Sequence, residues 1–221
     1  MTQVEADVGE RHWGVSTRFR ARRMAMFLAV VDEILAAKGS CHVLDMGGSI
    51  EYWRDLESVW GGRNLKFSIV NLDQSEARDP RYTVYNGDCR DLSRFGDLSF
   101  DVVHSNSVLE HVGRWGDMRA FAREARRLAP RYFVQTPNYW FPLEPHFRVP
   151  FFHWLPEPIR IWLVMTRGCG AFPRAETVDD AQRFIEDSIL IDARRFRALF
   201  PDGKLLRERF VGLTKSLIAV R

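Results

Sequence analysis

The sequence predicts a single α/β domain built on a doubly wound, mostly parallel sheet of seven strands. Short apolar runs alternate along the chain with segments of helical periodicity, which is typical of parallel strands linked by helices. Four of these runs end in polar turns, at 43–49, 69–73, 85–88 and 100–106. The last two runs, 205–211 and 215–220, are joined by the short link Gly212-Leu213, which predicts a C-terminal antiparallel hairpin.

Length and composition limit the possible classes of protein. The chain has 221 residues, which is ample for one domain and short for two. The net charge of +3 is small and does not by itself indicate a nucleic-acid partner. Cys41, Cys89 and Cys169 are far apart and form no C-x-x-C pair, so we expect neither a disulfide framework nor a zinc knuckle. This cysteine usage fits the cytoplasm, and the chain has no apolar stretch of the ~20 residues that span a membrane.

The remaining elements follow from periodicity and from stop signals. Apolar residues recur at helical spacing from Thr17 to Ala37, and Gly39 ends this first helix. The predicted strands are 41–46, 66–72, 82–86, 100–105 and 132–136, and the predicted helices are 52–60, 117–128, 178–187 and 193–199. Asp192 is placed to cap the last of these helices.

The periodic pattern breaks after Pro137. Residues 138–173 are rich in proline and aromatic residues, which predicts an inserted cap of short helices. We therefore divide the single domain into four parts by their expected roles. These are an N-terminal helical lid (1–39), a cofactor-binding core (40–137), an acceptor-side cap (138–190) and a C-terminal helix with the hairpin (191–221).

Small and acidic residues follow the first three strands of the core. Gly47, Gly48 and Ser49 would let a ligand contact the backbone, although a tight turn without a ligand would use them too. The acidic residues and their neighbours at these strand ends are Asp45, then Asp73 with Gln74, then Asp88 with Cys89. A single aspartate could merely cap a helix. Aspartates at three successive strand ends instead predict a site for an adenosine-containing cofactor.

These strand ends resemble those of the class I S-adenosylmethionine-dependent methyltransferases. The resemblance implies that Asp45 attracts the cofactor's ammonium group, that Asp73 and Gln74 border the ribose, and that Asp88 and Cys89 border the adenine. It also implies a parallel sheet that ends in an antiparallel hairpin. The chain departs from the family's glycine-rich pattern at Ile50 and Glu51. For the cofactor's carboxylate we consider four arginines of the first helix, which could equally form a solvated face: Arg18, Arg20, Arg22 and Arg23.

The segment 105–112 resembles methyltransferases of the quinone-biosynthesis kind, in which a Glu-His-Val run follows a strand with a polar end. The resemblance implies that Ser105 and Asn106 contact the cofactor. His111 is a candidate general base, since imidazole accepts a proton near neutral pH, although it could also only pack or bond locally. Ser107 stands where metal-binding relatives carry an acid, so we expect no metal.

The cap is expected to face the methyl acceptor. His146, in Glu144-Pro145-His146, is a second catalytic candidate, and His153 is a further polar residue on this side. The aromatic residues would line a pocket for a flat or greasy molecule or form ordinary core. Trp154, Ile159 and Trp162 lie near arginines, a mixture that also suggests peripheral membrane contact.

The resemblance implies transfer of a methyl group from S-adenosylmethionine to an oxygen or nitrogen atom of a small or lipid-like acceptor, by in-line displacement. A methyltransferase-like scaffold without activity is the main alternative. A nicotinamide-dependent oxidoreductase would carry a fuller G-x-G-x-x-G and a Tyr-x-x-x-Lys, which the sequence lacks. A nucleic-acid methyltransferase is disfavoured because no Asn/Asp-Pro-Pro-Tyr-like turn follows the fourth strand and acids balance the basic residues.

Overall fold

The computed structural model describes residues 13–72, 77–78 and 80–221. Asp73 and Gln74, two of the predicted cofactor ligands, therefore lie outside the described residues. The described helices are α1 (Trp13–Lys38), α2 (Ile50–Asp55), α3 (Glu57–Trp60), α4 (Trp115–Leu128), α5 (Glu157–Thr166), α6 (Val178–Glu186) and α7 (Ala193–Leu199), with short 3-10 helices at Leu109–His111 and Phe152–Trp154. The described strands are β1 (Cys41–Met46), β2 (Leu65–Asn71), β3 (Ala77–Arg78), β4 (Tyr82–Asn86), β5 (Val102–Asn106), β6 (Arg131–Pro137), β7 (Lys204–Phe210) and β8 (Leu213–Val220).

All of these strands form one sheet in the order β3-β4-β2-β1-β5-β6-β8-β7. The five central strands, β4, β2, β1, β5 and β6, run parallel to one another. Strand β8 is antiparallel to both β6 and β7. The predicted fold is therefore confirmed. The two-residue strand β3 pairs antiparallel with β4 and adds a short eighth strand at the edge.

The strand order places a crevice at the centre of the sheet. From β1 the chain builds outward on one side through β2 and β4, and it then returns to build the other side through β5 and β6. Connections therefore leave in opposite directions beside β1, and ligands of open α/β sheets bind outside the carboxyl ends of the strands at such a point. The described polar residues that follow β1, β4 and β5 come to this edge.

Helices cover both faces of the sheet, and each face has its own core. On one face α4 and α7 bury Met118, Phe121 and Phe196 against the strands. On the other face α1 buries Phe27 and Val31, and the core there includes the tryptophans of α2 and α3. A third apolar cluster lies within the cap segment and α6, with Phe147, Phe152, Val164 and Ile185 among its members.

Several boundaries differ from the sequence prediction by a few residues, and two of the differences have a physical cause in the structure. The predicted helix 52–60 is divided into α2 and α3, because the carbonyl of Trp53 accepts a hydrogen bond from Trp60 Nε1 at 2.7 Å. In a continuous helix this carbonyl would accept from the backbone of Glu57. The hairpin turn is Val211-Gly212, one residue earlier than predicted, and both residues have positive φ. This is the backbone that a two-residue hairpin turn requires.

The capping interactions explain where the later helices begin. Thr177 and Asp180 form a capping box at the start of α6, and Asp192 accepts a hydrogen bond from the backbone of Arg195 at the start of α7.

Among the helices described above, none combines the length and the apolar character needed to cross a bilayer.

Candidate functional site

A cavity of about 430 Å³ opens at the carboxyl ends of β1, β2, β4 and β5; we call it the strand-end cavity. Its size is within the range of pockets that hold small molecules and cofactors. The residues that line it come from the turns after these four strands: Gly47, Asn71, Leu72, Gly87, Asp88, Cys89, Arg90, Ser107, Val108, His111, Val112 and Gly113. The cavity therefore lies where the sequence predicts the cofactor site.

The turn after β1 is held close to its neighbours, and this explains its small residues. Gly47 has a φ of +81°, and a Cβ there would lie 2.4 Å from Val108 Cγ1. Asn71 Nδ2 donates to the carbonyls of Gly47 and Gly48 at 3.3 and 3.0 Å, which fixes the turn to the end of β2. Ser49 caps α2 by accepting from the backbone of Tyr52. Packing within the protein thus already requires these residues, and of the three predicted ligands in this turn Gly47 lines the cavity.

Asp45 does not line the strand-end cavity, and its predicted attraction for the cofactor's ammonium group, directly or through water, stays a prediction. It is 1% exposed, and Trp53 Nε1 donates to its Oδ2 at 2.7 Å. Its Oδ1 lies 2.8 Å from Nδ1 of His104, the residue opposite it in the register of β1 and β5. Both carboxylate oxygens therefore have internal partners, and the structure assigns Asp45 to the core beneath the turn.

The two predicted ligands at the end of β5 differ from each other. Ser105 is fully buried and donates its hydroxyl to the carbonyl of Met46 at 2.9 Å, so its predicted contact with the cofactor is corrected. Asn106 Oδ1 is buried and has no hydrogen-bond partner among the described residues. A buried amide oxygen usually has a partner. Asn106 does not line the strand-end cavity, so its predicted contact with the cofactor stays a prediction.

Asp88 and Cys89 line the strand-end cavity as predicted, but Asp88 carries a partner that the sequence analysis missed. Arg90 Nη2 lies 2.5 Å from Asp88 Oδ2, and Arg90 Nη1 reaches Asp117 at 3.2 Å. The hydrogen bond from Arg90 lowers the pKa of Asp88. Burial raises the pKa of Cys89 to about 12, so this thiol is neutral. The opposite charges two positions apart, at 88 and 90, are the feature of the sequence from which this ion pair could have been predicted.

A polar cluster joins the core to the cap beside the cavity. Glu110 is 1% exposed, and its Oε2 accepts from Thr136 Oγ1 at 2.9 Å, whereas its Oε1 is buried without a partner among the described residues. The ring of His111 meets the ring of His146 edge to face, with 4.8 Å between centroids. The structure therefore brings the two predicted catalytic histidines together, from segments 35 positions apart.

Each histidine of this cluster is oriented by an acidic residue through Nδ1. His146 Nδ1 lies 2.7 Å from Glu144 Oε1, and Glu144 is itself buried and accepts from the backbone of His146 and Phe147. His111 Nδ1 lies 2.9 Å from the carbonyl of Asp187 and 3.2 Å from its Oδ2. In both rings Nδ1 is engaged by the acidic residue, so Nε2 is the nitrogen that could contact a substrate.

The pKa of His111 does not fit its predicted role as a base near neutral pH. Burial lowers this pKa, but the hydrogen bond to Asp187 and the charges of Glu110 and Asp187 outweigh burial and raise it to about 9. His111 is therefore a cation at pH 7 and has no free lone pair for a proton. The hydrogen bond with His111 also lowers the pKa of Asp187.

The cluster places three possible metal ligands close together, although His111 would first have to lose its proton. Glu110, His111 and His146 each offer one ligand atom, and these atoms lie within 4.8 Å of one another. The sequence argument against a metal rested on Ser107 and did not count His146, because nothing in the sequence places residue 146 beside residue 111. The absence of a metal stays a prediction.

A larger cleft of about 800 Å³ lies between the cap and the core; we call it the cap cleft. It shares Gly113 with the strand-end cavity and is lined by aromatic residues of the cap, including Tyr139 and Phe152. His153 also lines it, with Nε2 2.7 Å from the carbonyl of Tyr139, and burial lowers the pKa of this imidazole. Some aromatic residues of the cap thus line the cap cleft, and others pack in the cap's own core.

Comparisons with known proteins agree with this fold. Residues 47–131 match the family model of a methyltransferase domain. Nothing among the curated proteins matches. The match over residues 47–131 confirms the predicted enzyme class, a methyltransferase. The finer resemblance to quinone-biosynthesis methyltransferases stays a prediction.

Solved structures are similar only at low identity. A methyltransferase in complex with the Trm112 activator from Haloferax volcanii is 13% identical, with 100% of this chain and 97% of that chain covered and a TM-score of 0.48. A SAM-dependent methyltransferase from Methanosarcina mazei is 12% identical over 82% of this chain and 91% of that chain, with a TM-score of 0.49. A zinc-dependent alcohol dehydrogenase from Rhodobacter sphaeroides is 9% identical over 82% and 83%, with a TM-score of 0.48. These values are too low to bear on function.

We expect Asp45→Ala to lower the free energy of unfolding by about 3–5 kcal/mol, because it leaves two buried partners of a carboxylate without their acceptor. Chemical denaturation would measure this loss. Asp97→Ala is the matched control, since that aspartate is 75% exposed and pairs with an arginine at the surface, where such pairs contribute about 0–1 kcal/mol. A small loss for Asp45→Ala, comparable to the control, would contradict the structural role.

The ion pair of His111 and Asp187 predicts a pH-dependent stability. The folded-state pKa of His111, about 9, lies above its ordinary value, so its stabilisation is fully present below about pH 6.5 and is lost as the pH rises through 9. The stability difference between wild type and His111→Gln, from urea denaturation, should therefore shrink from pH 6 towards pH 9.5. A difference that stays constant with pH would show that His111 is not charged in the folded state.

Proposed function

We propose that this enzyme transfers a methyl group from S-adenosylmethionine to an oxygen or nitrogen atom of a small or lipid-like acceptor. The observation that supports this most is the position of the strand-end cavity. It lies at the switch point of a methyltransferase fold, and His111 of the polar cluster is part of its wall. The cluster connects the cofactor side of the site to the cap, where an acceptor would bind.

The residues of the cavity fit this cofactor. Asp88 and Arg90 provide both a carboxylate and hydrogen-bond donors near the adenine side. Asn106 remains a proposed contact on the basis of sequence. Asp73 and Gln74 remain proposed ribose contacts on the basis of sequence. When bound, the cofactor supplies an electrophilic methyl group on a cationic sulfonium, and its amine and adenine need the acceptors named here.

His146 is the proposed general base for a hydroxyl acceptor. Glu144 accepts a hydrogen bond from Nδ1, which fixes the proton there and leaves the lone pair on Nε2. The proton of the acceptor would pass to this nitrogen as the acceptor oxygen forms its bond to the methyl carbon. His111, which is already protonated, would instead position His146 through their edge-to-face contact.

The protein also holds the reactants in a protected space. The methyl carbon must lie in line between the acceptor atom and the leaving sulfur, and such alignment can supply ~7–11 kcal/mol of the barrier. The cap contributes a packed aromatic core, with Phe147 stacked on Phe152 at 4.0 Å between centroids, so it forms a firm wall on the acceptor side.

Calorimetric titration with S-adenosylmethionine, S-adenosylhomocysteine and NAD in parallel tests the proposal. We expect both adenosyl ligands to bind and NAD to give no heat. Asp88→Asn should weaken adenosyl-ligand binding roughly 10- to 100-fold, which corresponds to the ~1.5–3 kcal/mol of a hydrogen bond to a charged group. Asp91→Asn, an exposed aspartate three residues away, should leave the affinity unchanged. His146→Gln should also bind normally, because His146 is assigned to the acceptor side.

The alternative function, a scaffold without activity, predicts a different result. A scaffold that has lost its cofactor would bind neither adenosyl ligand, and the departure at Ile50 and Glu51 would then account for the loss. Binding of NAD alone would contradict both readings and favour an oxidoreductase.

We also propose a peripheral membrane contact through the cap. Trp162 and Ile159 of α5 are 62% and 45% exposed, and Phe151 and Trp154 before it are 50% and 38% exposed. Exposed aromatic residues of this kind, near Arg148 and Arg167 at the surface, suit an anionic bilayer interface. Val164 of the same helix is buried in the cap core and does not belong to this exposed face.

Co-sedimentation with lipid vesicles tests the membrane contact. We expect the protein to bind vesicles of phosphatidylcholine mixed with phosphatidylglycerol better than vesicles of phosphatidylcholine alone. Trp162→Ala should weaken this binding about tenfold, or ~1.4 kcal/mol. Leu98→Ala changes a side chain of similar exposure, 63%, outside the cap and should have no effect. Equal losses for the two variants, or no vesicle binding by the wild type, would refute the contact.

A further inference from the structure

A small cavity of about 150 Å³ lies where α1 meets the ends of β6 and β8 and the beginning of the cap; we call it the basic cavity. Its walls include Gln135 and Asn138 from the end of β6 and Ser216 from β8. Ser107 lines both this cavity and the strand-end cavity, so the two spaces lie on either side of one residue. On the cap side, the lining residue Pro145 directly precedes His146.

The charges around the basic cavity are one-sided. Among the described residues that line it, the charged ones are Arg23 and Lys215, and both are cations. Arg23 is 8% exposed and pairs through Nη1 with the buried Glu208 at 2.9 Å. This single carboxylate leaves a net charge of about +1 in the group.

Both cations have unused capacity for an anion. Arg23 Nε is buried and has no hydrogen-bond partner among the described residues, although a guanidinium has five N–H donors. Burial lowers the pKa of Lys215, and the positive charge of Arg23 lowers it further against the opposing effect of Glu208. The Lys215 ammonium lies 4.2 Å from the centroid of the Phe19 ring, which is a weak substitute for a counter-ion. A bound anion would satisfy both groups.

The backbone fixes Lys215 at this place. Asn138 donates its backbone N–H to the carbonyl of Lys215 at 2.9 Å, and Asn138 Nδ2 donates to the carbonyl of Thr214 at 2.8 Å. The first residue of the cap segment therefore binds the strand that carries the lysine. The cation is held at the junction of cap and sheet.

We propose that Arg23 and Lys215 bind a small anionic group, a carboxylate or a phosphate, that belongs to the methyl acceptor. This rests on the proposed function and names the acceptor's chemical class. The basic cavity is bounded by cap residues on the side of His146 and not by the turn after β1, so its position favours the acceptor over the cofactor. A cavity of about 150 Å³ can hold benzene, so the anionic group and a few attached carbon atoms would fit.

Calorimetry with benzoate, inorganic phosphate and neutral benzamide, each titrated into protein saturated with S-adenosylhomocysteine, tests the proposal. We expect benzoate or phosphate to bind and benzamide, which has the shape of benzoate without its charge, to be silent. Lys215→Gln should weaken anion binding roughly tenfold or more. Lys204→Gln, an exposed lysine on β7, should leave it unchanged. S-adenosylhomocysteine should bind wild type and both variants equally.

Arg23 needs a paired change, because removing it alone leaves Glu208 buried and uncompensated. The double variant Arg23→Gln with Glu208→Gln keeps this site neutral, and it should also lose anion binding. Competition by vesicles of phosphatidic acid against phosphate would assign the anion to a lipid headgroup, whereas no competition would assign it to a soluble acceptor. Both outcomes support the anionic subsite.

Three results would overturn the subsite. Neither benzoate nor phosphate binds the wild type, or Lys215→Gln binds them as well as the wild type does. Alternatively, Lys215→Gln weakens S-adenosylhomocysteine as much as it weakens the anions, and the two cations then hold the carboxylate of the cofactor. If S-adenosylhomocysteine does not bind the wild type at all, the proposed function fails, and titration of the anions alone still decides whether the basic cavity binds them.

Discussion

The buried contact of Asp45 with Trp53 and His104 is the interaction on which the site depends. It connects the end of β1 to α2 on one side and to β5 on the other. The carboxylate lies so close under the turn after β1 that a Cβ on Gly48 would be 1.6 Å from its Oδ2. Because Gly48 has no side chain, the turn can lie close to the ends of the strands, and the strand-end cavity opens beside it. Asp45 thus supports, from beneath, the turn that borders the cavity.

The sheet was predictable because its signals are local. Apolar runs of five to seven residues, separated by polar turns, define β1, β2, β4, β5 and β6, and the short link near Gly212 defines the hairpin. The errors arose where tertiary contacts compete with local preference. The side chain of Trp60 takes a backbone carbonyl of α2, which divides a segment of continuous helical periodicity. No local pattern reports which distant donor will occupy a carbonyl.

The sequence predicts where the site lies in the fold better than it predicts what each side chain does there. All the predicted strand ends come to one edge, but the sequence does not tell whether a strand-end side chain points into the cavity or into the core. Asp45 and Ser105 point into the core, and Asp88 points to the cavity. Arg90 and Lys215 were missed because their importance depends on partners that the fold supplies. Glu144 was expected on the acceptor side, but its hydrogen bond with His146 was not predicted, for the same reason.

The acidic and basic groups of the site divide according to which segment carries them. His146 and its partner Glu144 belong to the cap, whereas Glu110 and His111 belong to the core, and the two pairs meet only when the cap packs on the sheet. The cation Lys215 depends on the same junction through Asn138. The groups assigned to the acceptor are thus assembled by cap packing, while the strand-end cavity is built by the sheet. A change in the sheet could therefore alter cofactor binding without altering acceptor recognition. A change in the packing of the cap could do the reverse, because the two depend on different contacts.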